Sequence, residues 1–202
     1  MRNKLIFISL FFILMAGLPL SFTLYGTQTS PEKPQTEQSA DSEAEAAARL
    51  CGSGFCDEAV KAAAIIARTN AAAGSGSGEG AGDISDKELY ERVKKIYHSD
   101  KEILSYSGKP VFIPASSCSS GSTEKSSSLE YLDGVASPWD AFSENYSGAL
   151  SCEGVSMSGI DYLCRTGMSA EEALLWYLPR LRIESGCKGC DYSFFTSTAA
   201  AA

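Results

Sequence analysis

Small and apolar side chains recur through residues 57–73 (DEAVKAAAIIARTNAAA) with the period of a helix. Val60, Ala63, Ala64, Ala67 and Ala71 fall at three- and four-residue spacing, and alanine is the strongest helix former. Asp57 can cap the first turn, and Glu58 sits where the helix dipole favours negative charge. Gly74 ends the segment, and 75–82 follows as a glycine- and serine-rich spacer. So many small side chains predict a scaffold helix with neighbours packed close around it. Lys61 and Arg68, about two turns apart, are predicted near one edge of it and solvated. Residues 84–97 put Leu89, Val93, Ile96 and Tyr97 on one face and Glu88, Glu91, Lys94 and Lys95 on the other, the pattern of a surface helix. Two apolar runs, 102–106 and 109–115, flank Ser107-Gly108 and predict a hairpin. Pro110 and Pro114 confine its second strand to an edge or interrupt it. Residues 168–178 predict a further helix, with Ser169 as N-cap, Glu171 and Glu172 in the first turn, and Pro179 as the stop. Helices mixed with a hairpin predict a single compact α+β domain.

Arg2 and Lys4 precede residues 5–25, which are apolar and carry no charge. About 20 such residues span a bilayer as a helix. Positive charge before the span predicts 1–4 on the cytoplasmic side, 5–25 as a single-pass anchor, and an extracytoplasmic remainder. A cleaved signal peptide is the competing reading. Its apolar core would be shorter, and 21–26 holds no clean small-x-small cleavage site. Residues 26–49, with Pro31, Pro34 and many polar residues, predict a linker that turns helical near 41–49. The folded domain is then expected at 50–190, with a fraying tail at 191–202.

The formal net charge is −8, with no basic cluster, which argues against a nucleic-acid partner. Seven cysteines leave at least one thiol unpaired, metal-bound or joined to another chain. Cys51 and Cys56 are close enough in sequence to pair if their turn folds back. Cys187-x-x-Cys190 has the spacing of a zinc knuckle, a redox pair or a local disulfide. His98, the single histidine, falls at a helix end, near the terminal carbonyls. The serine-rich stretch 116–128 reads either as a plain loop or as a site whose small residues admit a ligand to the backbone.

Four segments, in order, resemble the stage II sporulation protein D family (the SpoIID/LytB domain). EAVKAAAIIARTNA is similar to the family's EALKAQAVAARTYA helix. KEILSYSGKPVFIPASSCSSGSTE resembles its strand, turn, strand and small-residue loop. Tyr131, Leu132, Val135, Ser137, Pro138, Trp139 and Asp140 match its Tyr-Leu-x-x-Val-x-Ser-Pro-Trp-Asp segment. Gly154, Val155, Met157, Ser158 and Gly167 match its closing segment. The resemblance implies a membrane-anchored protein on the cell-wall side that acts on peptidoglycan glycan strands during engulfment in sporulation. Family members are lytic transglycosylases or enhancers of wall amidases, so other sporulation or wall-hydrolase proteins are implied partners.

The resemblance also implies a glycan groove between 118–124 and 152–158, lined by Ser119, Ser120, Gly121, Thr123, Glu124, Glu153, Gly154 and Ser158. The family's catalytic glutamate aligns with Leu50, which cannot transfer a proton. Its histidine, in Gly-His-Gly-Val-Gly, is replaced in Cys152-Glu153-Gly154-Val155-Ser156. Glu45 is the candidate for a relocated acid; Asp57 and Glu58 belong to the helix N-terminus. No cofactor is required, although some members bind a structural zinc near the small-residue loop. Cys118 and Cys152 are the candidates here, but with Glu153 and a distant His98 they make a poor ligand set. A Cys118–Cys152 disulfide or two buried thiols is the stronger expectation. The chain is thus expected to bind or regulate glycan with a degenerate catalytic site. The alternatives are an active transglycosylase with a relocated carboxylate and a structural subunit of a sporulation complex.

Overall fold

The computed structural model describes residues 35–75, 86–143, 146 and 151–185. The apolar run 5–25, the tail and the Cys187–Cys190 motif lie outside the described residues. No described helix is long and apolar enough to cross a membrane. Among the described residues, five α-helices combine with small sheets, in keeping with an α+β class.

The alanine-rich segment forms helix α2 (Asp57–Ala72), after α1 (Gln35–Leu50). Helix α2 is central. It packs against α3 (Lys87–Ser99), β1 (Glu102–Tyr106), α4 (Met157–Arg165) and α5 (Ala170–Tyr177). Its ten residues 59–69, Lys61 apart, are all buried. A helix apolar on nearly every side is stable only when covered on nearly every side, and alanine lets the neighbours come close.

The two cations of α2 are not solvated, contrary to the sequence pattern. Arg68 is 5% exposed. Its guanidinium donates to the carbonyls of Glu102 (2.7 Å) and Tyr97 (2.8 Å) and lies over the Tyr97 ring, 4.5 Å from the centroid. Thr69 Oγ1 donates to Ile65 O at 2.6 Å and accepts from the Leu104 amide at 2.9 Å. Asn70 pairs with both backbone groups of Ile113. Three consecutive side chains thus fasten β1, the end of α3 and the segment around Ile113 to the helix. Lys61 is half-buried among carboxylates, bonded to Glu171 and 3.3–3.4 Å from Asp100 and Glu102.

The hairpin forms as predicted: β1 pairs antiparallel with β2 (Lys109–Pro110) across a turn in which Ser107 and Gly108 both have positive φ. The prolines act as expected, since β2 is a short strand at the edge of the sheet, beside β1. The third strand, β5 (Arg182–Ser185), pairs Ile183 with Leu104. After Pro114 the chain enters a second, parallel pair, β3 (Ala115–Ser116) with β4 (Val155–Ser156). Helix α3 begins at an Asp86 cap on the Leu89 amide, and α5 carries a full capping box between Ser169 and Glu172.

The expected linker 26–49 differs in its last part. Helix α1 puts Ala44, Ala47 and Ala48 into the core. Polar contacts tie it to α3: Lys94 meets Asp41 at 2.6 Å, and the Tyr97 hydroxyl donates to Glu43. The compact unit therefore starts at Ser39, upstream of Leu50. Its small apolar residues are spaced for one helix face, but glutamate and serine between them lower the mean hydropathy.

Candidate functional site

The Ser-Pro-Trp-Asp segment becomes a 3-10 turn, Pro138–Phe142, and buries Asp140 completely. A buried carboxylate needs donors. Asp140 Oδ2 accepts from the Ser119 amide (3.0 Å), the Ser119 hydroxyl and the Ser137 hydroxyl (3.0 Å). Oδ1 accepts from the Ser156 hydroxyl at 2.9 Å. The Ser137 hydroxyl also meets the Tyr177 hydroxyl at 2.5 Å, which accepts from Trp139 Nε1 at 3.1 Å. Burial, helped by the Asp140 charge, holds the Tyr177 phenol well above its ordinary range. One carboxylate thus ties together the small-residue loop, the Trp139 turn, the N-terminus of α4 and the end of α5.

The two segments expected to form a groove lie side by side. Beyond the β3–β4 pair, the Glu124 amide donates to Cys152 O (2.8 Å) and the Ser158 amide to Ser117 O (3.0 Å). Glu124 and Glu153 face each other in a parallel bridge, and both are exposed. Ser120 is exposed as well. Gly121 and Ser158 are half-buried; the Ser158 hydroxyl donates to Ser117 O at 2.7 Å and accepts from Ser143 Oγ at 3.0 Å. Ser119, Thr123 and Gly154 are buried and hold the segments together. Thr123 exchanges bonds with Val135, its amide donating to Val135 O and its Oγ1 accepting from Val135 N. Gly154 has φ +80°, and a Cβ there would lie 2.2 Å from Pro114 O, so only glycine fits.

Leu50 is half-buried at the end of α1 and packs against the core. Glu45 sits on α1 in an i,i+4 ion pair with Arg49 at 2.6 Å. The described cysteines, 51, 56, 118, 152 and 164, are free thiols. Cys118 is buried and donates weakly to Asp140 O at 3.7 Å; Cys152 is half-buried. Burial pushes both thiols up in pKa, with the Asp140 charge adding to the effect. Among the described residues no group of three or more histidine, cysteine or acidic side chains converges as a metal site. Cys51 and Cys56 do not pair; the Cys56 thiol lies within hydrogen-bond reach of Cys164, and its amide donates to Asp161 at 2.8 Å.

Residue-type reasoning missed the hub. Asp140, Ser137 and Ser156 carried no signal of partnership, since their donors and acceptors come from segments far apart in sequence. Helix α4 was legible in principle, because Ser156 precedes Met157, Ile160, Leu163 and Cys164 at helical spacing, but Gly159 and the serines hide it. The chain matches no protein-family model and no curated protein sequence.

Proposed function

We propose that this chain binds peptidoglycan glycan strands through the surface where 116–124 meets 152–158, without cutting them, as a SpoIID/LytB-type protein of sporulation. The observation that supports the reading most is the pairing of those two segments, which carry two of the family-like motifs and lie about 30 residues apart in sequence. It leaves Ser120, Glu124 and Glu153 exposed beside backbone that small residues keep accessible. The non-cutting part rests on Leu50, which stands where the family's acid is expected, and on Glu45, whose carboxylate is taken by Arg49. Cleavage of a glycosidic bond needs a group that donates a proton to the leaving oxygen.

A second reading has its own support. Glu124 and Glu153 place one carboxylate on each side of the paired segments, so a cutting enzyme would use one of them. Full-length protein in a detergent without a sugar headgroup, incubated with peptide-stripped glycan strands, separates the two. Retention on the glycan with no anhydro-muramyl product by mass spectrometry is the expected result. Products that vanish in Glu124→Gln, Glu153→Gln or Glu45→Gln would overturn the non-cutting reading. No retention and no product would overturn the glycan reading and favour a structural role in a protein complex.

A further inference from the structure

Four aromatic rings lie in a row on the surface beside the paired segments. Phe142 is 80% exposed, Trp176 45% and Tyr162 40%, with Trp139 half-buried among them. Ring centroids step 6.4 Å from Phe142 to Tyr162, 5.9 Å from Tyr162 to Trp139, and 5.6 Å from Trp139 to Trp176. The planes of Trp139 and Phe142 lie within 3° and 21° of that of Tyr162. Trp176 is tilted by 59° and closes the row.

The two indoles are pre-set. Trp139 Nε1 donates to the buried Tyr177 hydroxyl, and Trp176 Nε1 donates to Ala136 O at 3.2 Å. Both indole N–H groups are consumed by the chain itself. Tyr162 stacks between Trp139 and Phe142, so the surface offers the edges and outer faces of a mutually stacked set, with the indoles fixed in orientation. Polar groups border one end: Ser143 follows Phe142 directly, and Ser158 stands one turn before Tyr162 on α4.

The size and charge of the row select the occupant. With side chains of roughly 150–250 Å² each, its open area is on the order of 300–400 Å². A stable protein interface needs about 800 Å² per partner, so a second copy of the chain is a poor fit. Nucleobases stack on aromatic rows too, but they come with phosphates that need cations. Arg165 and Arg180, three and four residues from Tyr162 and Trp176 in sequence, are occupied by Asp161 and Asp133, and the chain carries a net −8. A narrow, extended chain of flat rings with one apolar face and hydroxyls at the edge fits instead.

We propose that Phe142, Tyr162, Trp139 and Trp176 form a stacking face for the pyranose rings of a glycan strand. The inference rests on the glycan reading above and names the surface that grips the strand. The chain has 2 tryptophans, both in this row, so intrinsic tryptophan emission reports on the row alone.

The test titrates full-length protein, in a detergent without a sugar headgroup, with N-acetylglucosamine oligosaccharides and then with peptide-stripped glycan. A saturable change in tryptophan emission is expected with both. Phe142→Ala and Tyr162→Ala each weaken binding about tenfold or more, the scale of one lost stacking contact. Phe142→Trp keeps the affinity and rules out misfolding as the cause. Retention on glycan with no emission change, and equal affinity in the alanine variants, would overturn the stacking face while leaving the glycan reading intact. A response to the oligosaccharides without retention on peptidoglycan glycan would keep the face and overturn that reading. No response to either would overturn both, and concentration-dependent dimers that dissociate in Phe142→Ala would assign the row to self-association instead.

Discussion

Replacing Gly159 with alanine tests the packing around Asp140 with a reversed sign. Glycine inside a helix is normally a weakness, and alanine gains about 1 kcal/mol. Gly159 is in the first turn of α4, so propensity alone predicts a more stable protein. The surroundings predict the opposite. A Cβ on Gly159 would lie 1.9 Å from the Tyr177 hydroxyl and 2.8 Å from both Ser137 Oγ and Trp139 Nε1. Ordinary contacts between heavy atoms are about 3.5–4.0 Å. Tyr177 is fully buried and cannot swing aside without moving α5. Overpacking of this kind costs about 1–3 kcal/mol. Displacing the hydroxyl also strips Trp139 Nε1 of its acceptor, at about 1–3 kcal/mol for a buried orphan. Set against the gain in propensity, the net loss is about 1–5 kcal/mol, with a central value of about 3 kcal/mol.

Urea unfolding followed by tryptophan emission measures it. With slopes of about 1–3 kcal/mol per molar for small domains, the midpoint should fall by about 1–2 M. Tyr177→Phe removes the closest of the three atoms that the new methyl meets and leaves the 2.8 Å approaches to Ser137 Oγ and Trp139 Nε1. It should cost about 1–3 kcal/mol alone, through the orphaned indole N–H. Adding Gly159→Ala to it should then cost clearly less than Gly159→Ala costs in the parent. The double-mutant cycle should therefore show strong coupling between positions 159 and 177. A Gly159→Ala variant as stable as the parent, or effects that simply add, would refute the close approach.

Arg68→Leu should cost about 3–5 kcal/mol in denaturant unfolding, because two charge-assisted bonds are lost and the Tyr97 and Glu102 carbonyls stay buried; a loss under about 1 kcal/mol would mean that Arg68 is solvated after all. The Lys61 cluster should shape the pH dependence. Burial and the bond and charge of Glu171 raise Glu102 above the usual carboxylate range, whereas for Glu171 desolvation is outweighed by the Lys61 hydrogen bond, which takes it down to about 2. Glu171 therefore contributes stability above its ordinary 4.5 that is lost as pH falls toward 2, and Glu102 contributes stability below 4.5 that is lost as pH rises through its raised value. Glu102→Gln should raise Tm at neutral pH and flatten the decline above 4.5, with the acid-side loss unchanged; a Tm offset that is constant with pH would contradict this. Burial pushes the Cys51 and Cys164 thiols up to about 12, so both should resist iodoacetamide near pH 8 until the protein is unfolded, as mass mapping of the labelled sites would report.

The elements whose signal is local were legible in the sequence. Helix α2 announces itself through alanine at helical spacing, α5 through its Ser169–Glu172 capping box, and the hairpin through Ser107-Gly108 with Pro110 beyond it. What depends on distant partners was not. Arg68 reads as solvent-facing because its acceptors are carbonyls of Tyr97 and Glu102, about 30 residues away. Strand β5 has only Ile183 at partial burial and borrows its identity from pairing with β1, so its own sequence holds no alternation to read. The alanines of α1 are diluted by glutamate and serine, and only their burial distinguishes a core helix from a linker. Of the proposed groove, the meeting of the two segments was legible, but which residues face out was not. Ser119 and Thr123 have the same small, polar character as Ser120 and yet serve the interior.

That last distinction gives three of the chain's serines a structural role. Among the described residues Asp140 has no cation in its hydrogen-bond shell; its four donors there are one amide and three serine hydroxyls. A buried carboxylate solvated by hydroxyls must be reached from several segments at once, and only short side chains allow backbones to come that close. Ser119, Ser137 and Ser156 are thus a donor shell assembled from three places, although composition reads them as loop filler. The same shell fixes both surfaces. Through Ser119 and Ser156 it sets the spacing of the paired segments, and through Ser137 and Tyr177 it sets the angle of Trp139 in the aromatic row. The frame and a proton donor are separate requirements, because binding depends on where surfaces sit and cleavage depends on one proton donor. Gripping a strand without cutting it, as proposed above, needs this frame and not the donor.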